Sequence, residues 1–289
     1  MPIFNMVGGG YNSLGNIWIQ RSALQKGFSE GSAVVYNDEI HVLGGSANKM
    51  GHYKCNGSTW TKVSTIPYPF YRGSAVVFNN EIHILGGSSY EKNHYKWNGS
   101  KWESASTMPY YYVHGSAVVL NNEIHILGGI SIGGSILYNE HYKWNGSEWT
   151  RFSSNMPALS NGSAVVLNNE IHILGGSAST GTGSYLSHYK WNGTTWESVS
   201  NLPYRFYDGS AVVLNDEIHI LGTGDTTGGG IEKNHYKWNG TTWESVSTLP
   251  YNIYCGSAVV LSDGIHIFGG EYSTNYKNHY SYGEIYTKA

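Results

Sequence analysis

One motif is written six times along this chain: Gly-Ser-Ala-Val-Val, then Glu-Ile-His-Ile-Leu-Gly-Gly, then His-Tyr-Lys-Trp-Asn-Gly, then Trp-Glu-Ser-Val-Ser, with small variations. Its opening glycine falls at Gly31, Gly73, Gly115, Gly162, Gly209 and Gly256, at spacings of 42, 42, 47, 47 and 47 residues. Such a repeat folds as stacked supersecondary units, because one unit cannot bury its apolar face alone. The copies also serve as their own controls. Positions that stay constant belong to the scaffold, and individual chemistry belongs where they differ.

Each copy reads as four short strands. The first is Gly115-Ser116-Ala117-Val118-Val119-Leu120, small at one end and branched at the other, which suits crowding near an axis. The second, Glu123-Ile124-His125-Ile126-Leu127, ends in Gly128-Gly129, where positive φ or close backbone approach is expected. The third, around His141-Tyr142-Lys143-Trp144, joins the fourth, around Trp149, through the hairpin signal Asn145-Gly146. Proline closes the unit at Pro67, Pro109, Pro157, Pro203 and Pro250. Four antiparallel strands repeated about every 45 residues, with no helical pattern, describe a β-propeller blade.

In its paired glycines, third-strand tyrosine and fourth-strand tryptophan, the chain resembles the kelch repeat over roughly residues 15–289. The expected fold is therefore all-β, a six-bladed kelch-type propeller spanning 15–289 as one domain after an N-terminal segment, 1–14. Gly222-Thr223 departs from the paired glycines, so the fifth blade should turn differently there. Trp18 stands 13 residues before Gly31, the spacing of Trp60 to Gly73, so an N-terminal strand is expected to complete the last blade. The stretch from His279-Tyr280 to Glu284-Ile285-Tyr286 reads as a third and a fourth strand and competes for that place. Phe4 to Gly9 also mimics a second strand, which leaves a seven-bladed ring with one incomplete blade as the alternative.

Charged residues make up only 13% of the chain and the formal charge is −3. With a pI near 6.5 there is no basic stripe, which argues against nucleic acid and anionic membrane as partners. No run is long enough to insert in a bilayer. The first ten residues lack the features of a signal peptide, so cytoplasmic synthesis is expected. Those residues resemble the opening of some bacteriophage tail or virion proteins, and the His-Tyr-Lys-Trp-Asn-Gly copies resemble virion-associated phage propellers. That resemblance implies a virion-associated location. Cys55, which stands where later copies have Trp97, Trp144, Trp191 and Trp238, and Cys255 are expected to be reduced thiols.

Twelve of the thirteen histidines recur with the repeat, one in each second strand and one opening each third strand. Residues repeated in every blade are spread around a ring and do not converge on one ion, so no metal or other cofactor is expected. The same reasoning removes Glu39, Glu81, Glu123, Glu170 and Glu217 as a catalytic set, and no catalytic residue is assigned. Asn56, Asn98, Asn145, Asn192 and Asn239 match the glycosylation pattern, but Asn-Gly is what the hairpins require. Gly8-Gly9-Gly10 and Gly228-Gly229-Gly230 lack the lysine of a phosphate loop and read as connections.

The copies differ most in the loop after the paired glycines and in the connection entering each first strand. Three residues before the opening glycine the side chain is always apolar, Phe28, Phe70, Tyr112, Leu159, Phe206 or Ile253, which marks packing. Immediately before that glycine it changes every time: Glu30, Arg72, His114, Asn161, Asp208 and Cys255. These six should ring one mouth of the central channel, with Tyr71, Tyr207 and Tyr254 beside them and Tyr68, Tyr110, Tyr111, Tyr204 and Tyr251 further out. Tyrosine among serine, glycine and asparagine is the composition of a recognition surface. The expected function is non-enzymatic binding of a glycan or a protein surface through Glu30, Tyr71, Arg72, His114, Asn161, Arg205, Tyr207, Asp208 and Tyr254. Because some kelch-like propellers act on sialic acid, the resemblance implies an alternative, a sugar mutarotase- or epimerase-like enzyme. There Glu30, His114 and Asp208 would exchange protons while Arg72 and Arg205 clamp a carboxylate. A structural or assembly role is the third reading.

Overall fold

A computed structural model describes residues 11–87, 92–131, 134, 136–153, 156–176, 185–224, 233–270 and 277–288. Six four-stranded antiparallel sheets, each with its strands in spatial order first to fourth, form the blades of a propeller. In blade 2 the strands are Ser74–Phe78, Glu81–Leu85, Asn93–Trp97 and Trp102–Thr107. The ring closes between blades 6 and 1, where the Ala33 amide donates to Ser257 Oγ at 3.1 Å.

Closure resolves the competition for the last blade. His279–Lys288 is one ten-residue third strand, and Tyr11–Gln20 pairs against it as the fourth. Both candidate segments are used, and the C-terminal stretch does not turn back, because Gly283 lies within the strand where other blades have their hairpin. The expected mimic strand Phe4–Gly9 and the triplets Gly8–Gly10 and Gly228–Gly230 lie outside the described residues.

The core lies between blades. Val34, Tyr36 and Leu43 of blade 1 pack with Ile82, Ile84 and Trp97 of blade 2, and Ile66, Tyr68 and Phe70 of the connecting segment fill the same cluster. A single repeat would leave that surface wet, which is why the units need one another. The paired glycines serve this contact. Gly44 has φ +63°, and a Cβ there would stand 2.0 Å from the Phe70 carbonyl oxygen, so only glycine admits the next blade's connection. In blade 5, Thr223 takes φ +29° beside Gly222 and donates its hydroxyl to the Tyr207 carbonyl, an altered turn as the sequence suggests.

The periodic histidines pair within each blade. His83 Nδ1 and His94 Nε2 lie 2.8 Å apart, His94 Nδ1 meets Ser106 Oγ at 2.8 Å, and Trp149 of the next blade donates its indole N–H to that hydroxyl at 2.9 Å. Blade 1 repeats the wire through His41, His52, Ser64 and Trp102. The N-terminal strand completes it for blade 5, where Trp18 donates to Ser247. Burial, with charge from the paired ring second, lowers the third-strand histidines to about 3.

The hairpin expected at Asn145-Gly146 is not the tight two-residue turn of the blade. The tight two-residue turn is Asn121-Asn122, with φ +49° and +60°, between the first and second strands. Asn145-Gly146 instead opens a four-residue loop, where Asn145 Oδ1 accepts from the amides of Ser147 and Glu148. An asparagine side chain that mimics a backbone turn can hold a longer loop.

Candidate functional site

The connections entering the first strands descend into the channel through a single left-handed residue in every blade. Glu30, Arg72, His114, Asn161, Asp208 and Cys255 have φ between +53° and +62°. In that conformation each amide points along the rim to the carbonyl of the blade before. Arg72 donates to Glu30, His114 to Arg72, Asn161 to His114, Asp208 to Asn161, Cys255 to Asp208 and Glu30 to Cys255, all at 2.7–2.8 Å. The hydrogen bonds form a closed belt of six. Just inside it, the Ser74 hydroxyl donates to the Gly115 carbonyl at 3.0 Å, and Ser32 and Ser116 do the same to their neighbours.

A non-glycine residue in this region costs about 1–2 kcal/mol, least for asparagine and aspartate. Glycine would adopt it freely, yet all six positions carry a side chain. Those residues, with the glycine after each, line one cavity of about 130 Å3. The sequence therefore placed the ring at a single mouth by repeat register alone.

Within the pit the side chains form two groups. Arg72 Nε donates to Glu30 Oε1 at 2.7 Å and a second guanidinium nitrogen lies at the same distance, so these charges cancel locally. Across the mouth, Asn161 Nδ2 lies 2.6 Å from Asp208 Oδ1 and 3.0 Å from His114 Nδ1. The ionised carboxylate only accepts, so the amide nitrogen faces both partners. His114 must then offer a lone pair at Nδ1 and carry its proton on Nε2. Burial, reinforced by Arg72, holds His114 at about 4. Burial raises Asp208, opposed by hydrogen bonds from Asn161 and Tyr254. The Cys255 thiol is pushed up, first by burial and then by the charge of Asp208, and both cysteines are free.

The expected tyrosines divide. Tyr71 lies beneath the Lys49 ammonium, 4.6 Å from its ring centre, and beside the Arg72 guanidinium. Tyr207 and Tyr254 meet edge to face at 6.1 Å, and Tyr254 also hydrogen-bonds Asp208. Tyr68 and Tyr204, expected further out on the face, are 6% and 2% exposed and donate to the Gly86 and Gly222 carbonyls as packing. Arg205, like Tyr71, Tyr207 and Tyr254, is not among the residues lining the pit; its guanidinium lies over the Tyr185 ring at 5.4 Å. A carboxylate clamp between Arg72 and Arg205 is thus not formed, since Arg72 is neutralised by Glu30 and Arg205 is held aside.

Sequence reasoning missed Tyr185, which packs on Tyr207 at 5.2 Å, and Lys49. Both lie in the loop between second and third strands, where the copies have no common register; their position beyond the paired glycines is the only signal for them. Most of the remaining loop, including 177–184 and 225–232, lies outside the described residues, so its expected part in binding is not described.

No family model matches the chain, and no curated protein matches it. Among solved structures it is similar to one described as "Structure of YjhT", with a TM-score of 0.78 and 13% identity, over 93% of this chain and 99% of that chain. At that identity the likeness shows the fold, and a six-bladed β-propeller is what the chain is.

Proposed function

We propose that this protein is a kelch-type binding module, without catalysis, that seats the end of a glycan chain in the channel mouth, with virion association of the kind seen for phage propellers. The observation carrying this reading is the rim itself: six different side chains stand at six equivalent positions where glycine would be conformationally free. Carboxylate, guanidinium, amide and imidazole converge on a pit comparable in scale to one sugar ring. Tyr71 and the Tyr207–Tyr254 pair stand beside the rim residues, outside the pit lining, and offer rings for the apolar side of a sugar that projects from the pit. A small pit ringed by six side chains favours a chain end over a broad protein surface. The enzyme-like reading is less well supported. Glu30 is tied to Arg72, and Asn161 stands between His114 and Asp208, so none of the three is free to shuttle protons.

A glycan array followed by titration calorimetry tests the proposal. Tyr71→Ala, Arg72→Gly, Tyr207→Ala and Asp208→Gly combined should abolish binding, the glycines being chosen to suit positive φ. Retained glycan binding, or a protein partner captured equally by both forms, would overturn it, as would accelerated anomer exchange of a bound sugar by NMR.

A further inference from the structure

Resting on that reading, we infer that the mouth selects a sugar bearing a free, protonated amine over neutral, N-acylated or acidic sugars. The argument is a count of charge around the pit. Glu30 and Arg72 form an ion pair at 2.7 Å and sum to zero. His114 is neutral, with Nδ1 accepting from Asn161. Asp208 has two donors, Asn161 Nδ2 and the Tyr254 hydroxyl, but among the described residues it has no ion-pair partner. The net charge on the rim is therefore one negative, and it belongs to Asp208.

The backbone does not offset that charge. Its six N–H and C=O groups are spent on each other around the belt, so the dipoles run along the rim and not toward the pit. Among the described residues, Arg72 is the one cation lining the pit, while Lys49, Lys92 and Arg205 lie over the Tyr71, Tyr111 and Tyr185 rings. An ionised carboxylate offers about four acceptor positions, and two are already used. An ammonium group supplies both the charge and the donors that the carboxylate lacks, whereas a sugar acid would bring a second negative charge into the same partly desolvated space.

The test is calorimetry at pH 7.0 with four trisaccharides: tri-glucosamine, its fully N-acetylated form, cellotriose, and a trimer ending in a uronic acid. Tri-glucosamine should bind at least tenfold more tightly than the other three. Asp208→Asn should remove that preference, bringing tri-glucosamine to within about twofold of cellotriose measured on the same variant. Asparagine already occupies the equivalent place in blade 4, so this variant suits the rim backbone, and an unchanged melting curve checks its fold. Equal or tighter binding of an N-acetylated, neutral or acidic trimer would overturn the inference. If that binding is lost in the four-residue rim variant, the glycan reading survives alone. A preference for tri-glucosamine that persists in Asp208→Asn also overturns the inference, and absence of binding by every trimer overturns both.

Discussion

Moderate acid, well above the range where carboxylates titrate, should unfold this propeller, and the histidine wires set the size of the effect. Eleven paired histidines are held at about 3 or about 4, chiefly by burial. In the unfolded chain they would titrate near 6.5, so below that pH the unfolded state binds protons that the folded state refuses. Their contribution to stability is thus full above 6.5 and declines as pH falls toward the folded values. At pH 5.5 each such histidine costs about 1.4 kcal/mol relative to neutral pH, and eleven cost about 15 kcal/mol. A folded domain has only about 5–15 kcal/mol in total. His266, bonded to the Asp263 carboxylate at 2.7 Å, is left out of the count. Urea unfolding followed by tryptophan fluorescence at pH 7.5, 6.5 and 5.5 should show a midpoint that collapses across this interval. Replacing one pair, His83→Gln with His94→Gln, should reduce the loss by about 3 kcal/mol on the same linkage argument. An unfolding free energy constant within about 2 kcal/mol from pH 7.5 to 5.5 would refute the reasoning.

Two further outcomes follow from the closure and the rim. Deleting residues 11–20 exposes the edge of His279–Lys288 and removes the Trp18 indole bond to Ser247, so light scattering should show edge-driven association where the intact chain shows one species; an equally disperse deletion variant would contradict that account. Cys255→Gly relieves a left-handed non-glycine residue and should stabilise by about 1 kcal/mol in urea, a loss of stability counting against strain at the rim.

Much of this was legible because the chain repeats itself. Period and strand pattern gave six blades, and Trp18 placed the N-terminal strand through its register with the other tryptophans. The fate of the C-terminal stretch was not legible, since Gly283 mimics a turn locally and only the incoming strand shows that none is needed. Register also located the rim, because a position that varies in every copy stands out against constant neighbours. Side-chain partnership was hidden. Nothing in sequence spacing tells that Arg72 closes on Glu30 while Arg205 folds over Tyr185, since these contacts join blades and loops of different length. The exchange of Arg21 and Asp263 for the Glu–Lys pair seen in blades such as Glu81–Lys96 was equally invisible, because it couples residues from the two ends of the domain.

The belt of backbone bonds at the mouth also separates shape from specificity. Its circumference is set by main-chain atoms that every amino acid except proline supplies, so replacing a rim side chain leaves the aperture unchanged. Six codons, one per repeat, thereby form an address panel that mutation or design can rewrite letter by letter, giving new ligands to an unaltered socket.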